Sequence, residues 1–154
     1  MMTRAPLRAA SLAAIAALVP LSAAAITKPF TGPNGWDHVV AASATPQTPR
    51  AQEIWRKSDG ETLVYLEDGE LGYDDVVAMI HKNITENGIH AAVDKDRTCD
   101  ARRAHEVEMT FGTVVVHQIV VDDAPGVTKL TYTHPQGAAT SPEVLSTLTA
   151  YCGS

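Results

Sequence analysis

Only two cysteines occur among the 154 residues, Cys99 and Cys152, and their spacing rules out a C-x-x-C redox motif. Basic charge is also scarce. Twelve Lys and Arg face eighteen Asp and Glu, for a net charge of −6, and no basic run interrupts the acidity. Nucleic-acid binding begins with a basic footprint, so that class is excluded, and anionic membrane surfaces are disfavoured for the same reason. No G-x-S-x-G, P-loop or dinucleotide fingerprint is present, which removes the common motif-borne chemistries. Beyond the first 25 residues there is no apolar run of spanning length.

Those first residues have a character of their own. Arg4 and Arg8 precede an alanine-rich apolar run, Ala9 to Leu21, which exits through Ser22-Ala23-Ala24-Ala25. A charged start, a short apolar middle and a small-residue exit predict a secretory signal peptide cleaved near Ala25. The run contains Pro20 and is too short for a membrane span, and no cysteine near the exit invites a lipid. A periplasmic or secreted domain from Ile26 to Ser154, with no membrane anchor after cleavage, is expected. The leader takes two basic residues and no acids with it, so the exported chain is the more acidic. In an oxidising compartment the two cysteines are expected to form one disulfide, with a reactive or metal-binding thiol pair as the alternative.

Residues 26–35, with two prolines and two glycines, read as an irregular N-terminal arm ahead of a single domain, 36–154. Strands are predicted at Trp36 to Ala42, Gln52 to Lys57 and Glu61 to Glu67. Tyr73 to Asn87 is predicted as a helix, with Asp74 as its N-cap, Gly88 at its end and a stripe of Val76, Val77, Ile80 and Ile84. A short strand at Ile89 to Val93 and a charged loop at Asp94 to Arg103 follow. Strands then read at Ala104 to Phe111, whose Val107, Met109 and Phe111 alternate with polar residues, at Val114 to Val121 and at Val127 to His134. Ser141-Pro142-Glu143 opens a closing helix, with Val144, Leu145, Leu148, Tyr151 and Cys152 on one face and Gly153 at its end.

Three strands, a helix, four strands and a helix, with no repeats and no βαβ alternation, predict an α+β fold. Its antiparallel sheet has about six or seven strands and two helices, as an α/β/α sandwich or, alternatively, a cystatin-like curved sheet on one helix. Cys152 on the sheet-facing stripe would let a bridge to Cys99 staple the last helix to the segment before Ala104. Four features together resemble PsbP-like domains: the Gly35-Trp36 lead-in, the helix after the third strand, the long central hairpins and the Tyr151-Cys152-Gly153 ending. They are similar, more closely, to small exported bacterial proteins of unassigned function that close in the same way. The resemblance implies an accessory or binding module more than an enzyme, and assigns no residue a role.

Candidate chemistry is sparse. His105-Glu106 begins like H-E-x-x-H, but the fifth position is Met109 and the segment alternates as a strand. Asp94-x-Asp96-x-Thr98, followed by Asp100, spaces oxygens like a calcium loop, yet Cys99 and His105 stand where such a loop needs glycine and glutamate. Glu67, Asp68, Glu70, Asp74 and Asp75 form a possible acidic binding surface, and Trp36 and Trp55 a possible groove. His117, interrupting an apolar strand, is the histidine singled out for function, against the alternative of a hydrogen-bonded core residue. No two of the six histidines share ligand spacing and a predicted face. No catalytic residue, metal ligand or cofactor is therefore assigned. The expected function is an exported, disulfide-stapled accessory or binding module for an unknown protein or small ligand. The alternative is a small metal-dependent or hydrolytic enzyme whose site gathers scattered His, Asp and Glu residues, among them His81, His90, His105, His117 and His134.

Overall fold

The computed structural model describes residues 29–47 and 49–153; the signal peptide expected over residues 1–25 lies outside the described residues. The strands are β1 (Asp37–Ala42), β2 (Arg50–Arg56), β3 (Thr62–Asp68), β4 (Ala91–Cys99), β5 (Arg102–Phe111), β6 (Val114–Asp123) and β7 (Gly126–Pro135). The helices are α1 (Tyr73–Glu86) and α2 (Pro142–Cys152). All seven strands join one antiparallel sheet in the order β1-β2-β3-β7-β6-β5-β4, so the fold is α+β as expected. No helix among the described residues is long and apolar enough to cross a membrane.

The period-2 pattern explains where the helices go. Ile119 and Val121 of β6 pack with Leu63, Leu130, Tyr132, Val144, Leu148 and Tyr151 in the larger core, the one that α2 covers. Val120, between them, packs with Tyr73 and Val76 of α1 and with Val127. Neighbours on a strand point to opposite sides of a sheet, so the two helices lie on opposite faces. Tyr132, Leu63, Ile119 and Leu130 are almost wholly buried, and removing any of their side chains would cost about 2–5 kcal/mol. Phe30, in the irregular lead-in, seals this core by stacking on Tyr65 at 4.7 Å and meeting Trp55 edge-on at 5.1 Å. Cys99 and Cys152 are bridged, and the Asp100 N–H donates to the Cys152 carbonyl at 2.7 Å, so the end of α2 is tied to the end of β4.

Several expectations are corrected. The charged stretch after Val93 is not a loop: β4 runs on to Cys99 and turns through Asp100-Ala101 into β5. Both turn residues have positive φ (53° and 62°), the conformation of a two-residue type I′ hairpin. The apolar count misses β4 because it is an edge strand, whose alternation is one of charges: Asp94, Asp96 and Thr98 on one face, Lys95 and Arg97 on the other. Those oxygens line a straight strand and cannot wrap a calcium ion as a loop would. Gly72, not Asp74, is the N-cap of α1, and Asp74 and Asp75 fall in its first turn. Ser141 does cap α2 by position, but its hydroxyl bonds the Glu143 carboxylate instead of a backbone N–H. Leu145 and Phe111, expected to be buried, are 51% and 41% exposed. Gly126 is required by space: a Cβ there would lie 2.1 Å from the Asp68 carbonyl oxygen.

A candidate metal centre between α1 and the β4–β5 hairpin

On the α1 face, Arg103, His105, Val107 and Met109 of β5 alternate with residues of the other face, and β4 sets Asp96 opposite His105 and Asp94 opposite Val107. Asp94 and His105 are therefore diagonal neighbours on one face, within reach of each other's side chains. The apolar stripe of α1 (Val76, Val77 and Ile80) docks on the sheet beside Tyr73, Val120 and Val127. His81, one residue past Ile80, is thereby carried over the hairpin.

Three side chains converge there. His81, Asp94 and His105 each offer one donor atom, and the three atoms lie within 4.8 Å of one another. Asp94 Oδ1 sits 3.0 Å from His81 Nε2 and 2.8 Å from His105 Nε2. The imidazole rings meet edge to face, 5.0 Å apart and nearly perpendicular, and the Nε2 atoms of both lie against Asp94 Oδ1. His105 is 3% exposed, and its other nitrogen, Nδ1, lies 3.0 Å from Asp96 Oδ1. With Nδ1–H donating to Asp96, an ion would take the place of the proton that Nε2 now shares with Asp94. That carboxylate–histidine arrangement orients metal-bound imidazoles generally.

Two imidazoles and a carboxylate suit zinc, copper, nickel or iron, whereas calcium and magnesium want oxygen alone. Bonds of about 2.0–2.2 Å would place an ion among these atoms after a small opening of the present hydrogen bonds. The carboxylates of Asp94 and Asp96 add the negative field a cation needs. Farther along this face, Arg103 lies over the Tyr73 ring at 4.2 Å and pairs with Asp74 and Asp122, both at 2.9 Å. The Tyr73 hydroxyl is buried with no hydrogen-bond partner among the described residues; burial, then the Asp96 charge, pushes its pKa up.

Compared with known proteins, the chain matches no family model, no curated protein and no solved structure.

Of the residues named from the sequence, His81, Asp94 and His105 meet at this centre, and the other candidates lie elsewhere. His117 is on the other face, with Nε2 2.7 Å from Glu106 Oε1. Burial raises the Glu106 carboxyl, but His117, Arg97 and Lys95 outweigh it and hold the group below the usual range. Arg97, Lys95 and Glu106 line an open cleft of about 780 Å³ beside Cys152 and Gly153. Trp36 and Trp55 are core residues, 8% and 5% exposed. Most of the acidic group has local partners: Glu67 accepts from the Tyr65 hydroxyl, Asp68 and Glu70 pair with Arg50, and Asp74 pairs with Arg103. His134 stacks on Tyr132 and bonds its neighbour's carbonyl, and His90 is exposed. The triad was hidden because its members come from a helix and two strands, one of which reads as a loop.

Proposed function

We propose that this chain is an exported, disulfide-stapled binding module whose ligand is a divalent transition-metal ion, held by His81, Asp94 and His105. The carrying observation is the convergence of these donors within 4.8 Å, with His105 buried and oriented from behind by Asp96. The acidic balance supports a cationic ligand over an anionic polymer. The Arg4–Ala25 leader and the PsbP-like element order support an exported accessory role. A small metal-dependent enzyme is the second reading. The same donor set favours it, and hydrolytic turnover by the loaded protein would separate it from a module that only binds.

The test is calorimetric titration of metal-stripped protein with Zn²⁺, beside His81→Ala. His81 is exposed, so its removal leaves the core intact. The expected result is one ion per chain, with affinity lost in the variant. Equal binding by both proteins, or none by either, would sink the reading.

A further inference from the structure

We infer that an ion held by His81, Asp94 and His105 keeps a coordination position open to solvent, and that this position takes a small anion in place of water. The inference rests on the metal-binding reading above and extends it to a second, exchangeable ligand.

The donor count comes first. Among the described residues the group contains three ligand atoms and no fourth. Asp96, the nearest further acid, stands at Nδ1 of His105 while the shared donor is Nε2. Those nitrogens lie on opposite edges of the ring, so Asp96 orients the imidazole and cannot reach the ion bound on the other side. Sites that only build structure close on four protein donors; three donors with solvent in the remaining place is the open kind.

Exposure gives the direction of the opening. The side chains of His105, Asp94 and His81 are 4%, 37% and 48% exposed, so an ion would be anchored from the sheet and bare on its outer side. Charge then selects the incoming group. Two neutral imidazoles and one carboxylate leave a divalent ion with a residual positive charge, which draws an anion toward the open position. The exchange is a simple substitution: water leaves with its lone pair and the anion's lone pair enters, with no proton or electron transferred to the protein.

Loading the metal-stripped protein with Co²⁺ and titrating with sodium azide tests this, because the visible bands of Co²⁺ report its coordination shell. A saturable shift of those bands, with Co²⁺ still bound, is the expected result. Bands that form but do not move with azide, or that bleach as the ion is stripped, would overturn the open position and leave the metal reading standing. Failure to form the bands at all, repeated by His81→Ala, would remove the metal reading and this inference together.

Discussion

His105 and Asp96 stand opposite each other across the β4–β5 ladder, and this pairing sets Nδ1 3.0 Å from Asp96 Oδ1. The ladder therefore fixes which edge of the imidazole faces the triad before any ion arrives. Asp96→Asn keeps the shape of the side chain and removes its charge. Because the Asp96 side chain is 89% exposed, the fold should survive, while Zn²⁺ affinity falls by about 10- to 100-fold. Calorimetry on the two proteins checks this, and equal affinities would deny Asp96 its orienting role.

His117 makes the complementary case. It lies on the face away from the triad, and its ring bonds the Glu106 carboxylate that Arg97 and Lys95 also hold. His117→Leu should lower unfolding stability by about 1.5–3 kcal/mol, the worth of one hydrogen bond to a charged group. Zn²⁺ affinity should be unchanged, and a loss of binding in a folded variant would place His117 in the functional site.

The staple between Cys99 and Cys152 closes a loop with a sequence separation of 53. In the chain-entropy account such a closure restricts the unfolded chain and stabilises the fold by roughly 4 kcal/mol. Cys152→Ser should therefore unfold at a clearly lower urea concentration than the parent. An unmoved midpoint would mean that the bridge adds nothing beyond the packing of α2.

Three phenols give the pH dependence. Burial, reinforced by hydrogen bonds to Glu67 and Glu61 respectively, pushes Tyr65 and Tyr132 far above the ordinary tyrosine range, and burial pushes Tyr73 upward as well. A group whose pKa is raised in the folded state lends its full stability below the unfolded value, about 10, and loses it as the pH climbs beyond. The fold should hold through neutral pH and weaken above about 10. In a titration followed by tyrosinate absorbance, these three should ionise late and together with unfolding. Early, independent ionisation would contradict their burial.

Much of the fold was legible, and the reasons are local. Val107 and Met109 alternate with acids and fall on a strand with one buried face; Val76, Val77 and Ile80 repeat at helical spacing and dock on the sheet. Cys152 on the buried stripe of α2 pointed to the bridge that forms. The site was not legible, and β4 is the reason. Burial writes the alternation that sequence shows, and an edge strand with exposed Asp94, Lys95 and Asp96 has almost none of it. With β4 taken for a loop, Asp94 had no face to share with His105, and His81 had nothing beneath it.

The order of the sheet has a last consequence, for how copies of this chain meet. An open sheet ends in two bare edges, here β1 and β4, where unpaired backbone groups can recruit another strand. Asp94, Lys95, Asp96 and Arg97 make β4 a poor template, because a second copy would have to set like charges side by side. The β1 edge carries exposed Val39 and Val40 and, among the described residues, a single charge at Asp37. Any edge-to-edge pairing would then fall to β1, and two copies joined there would present only their charged β4 borders outward. Growth would then stop at a pair, so the strand that carries Asp94 also denies the sheet a route to filaments.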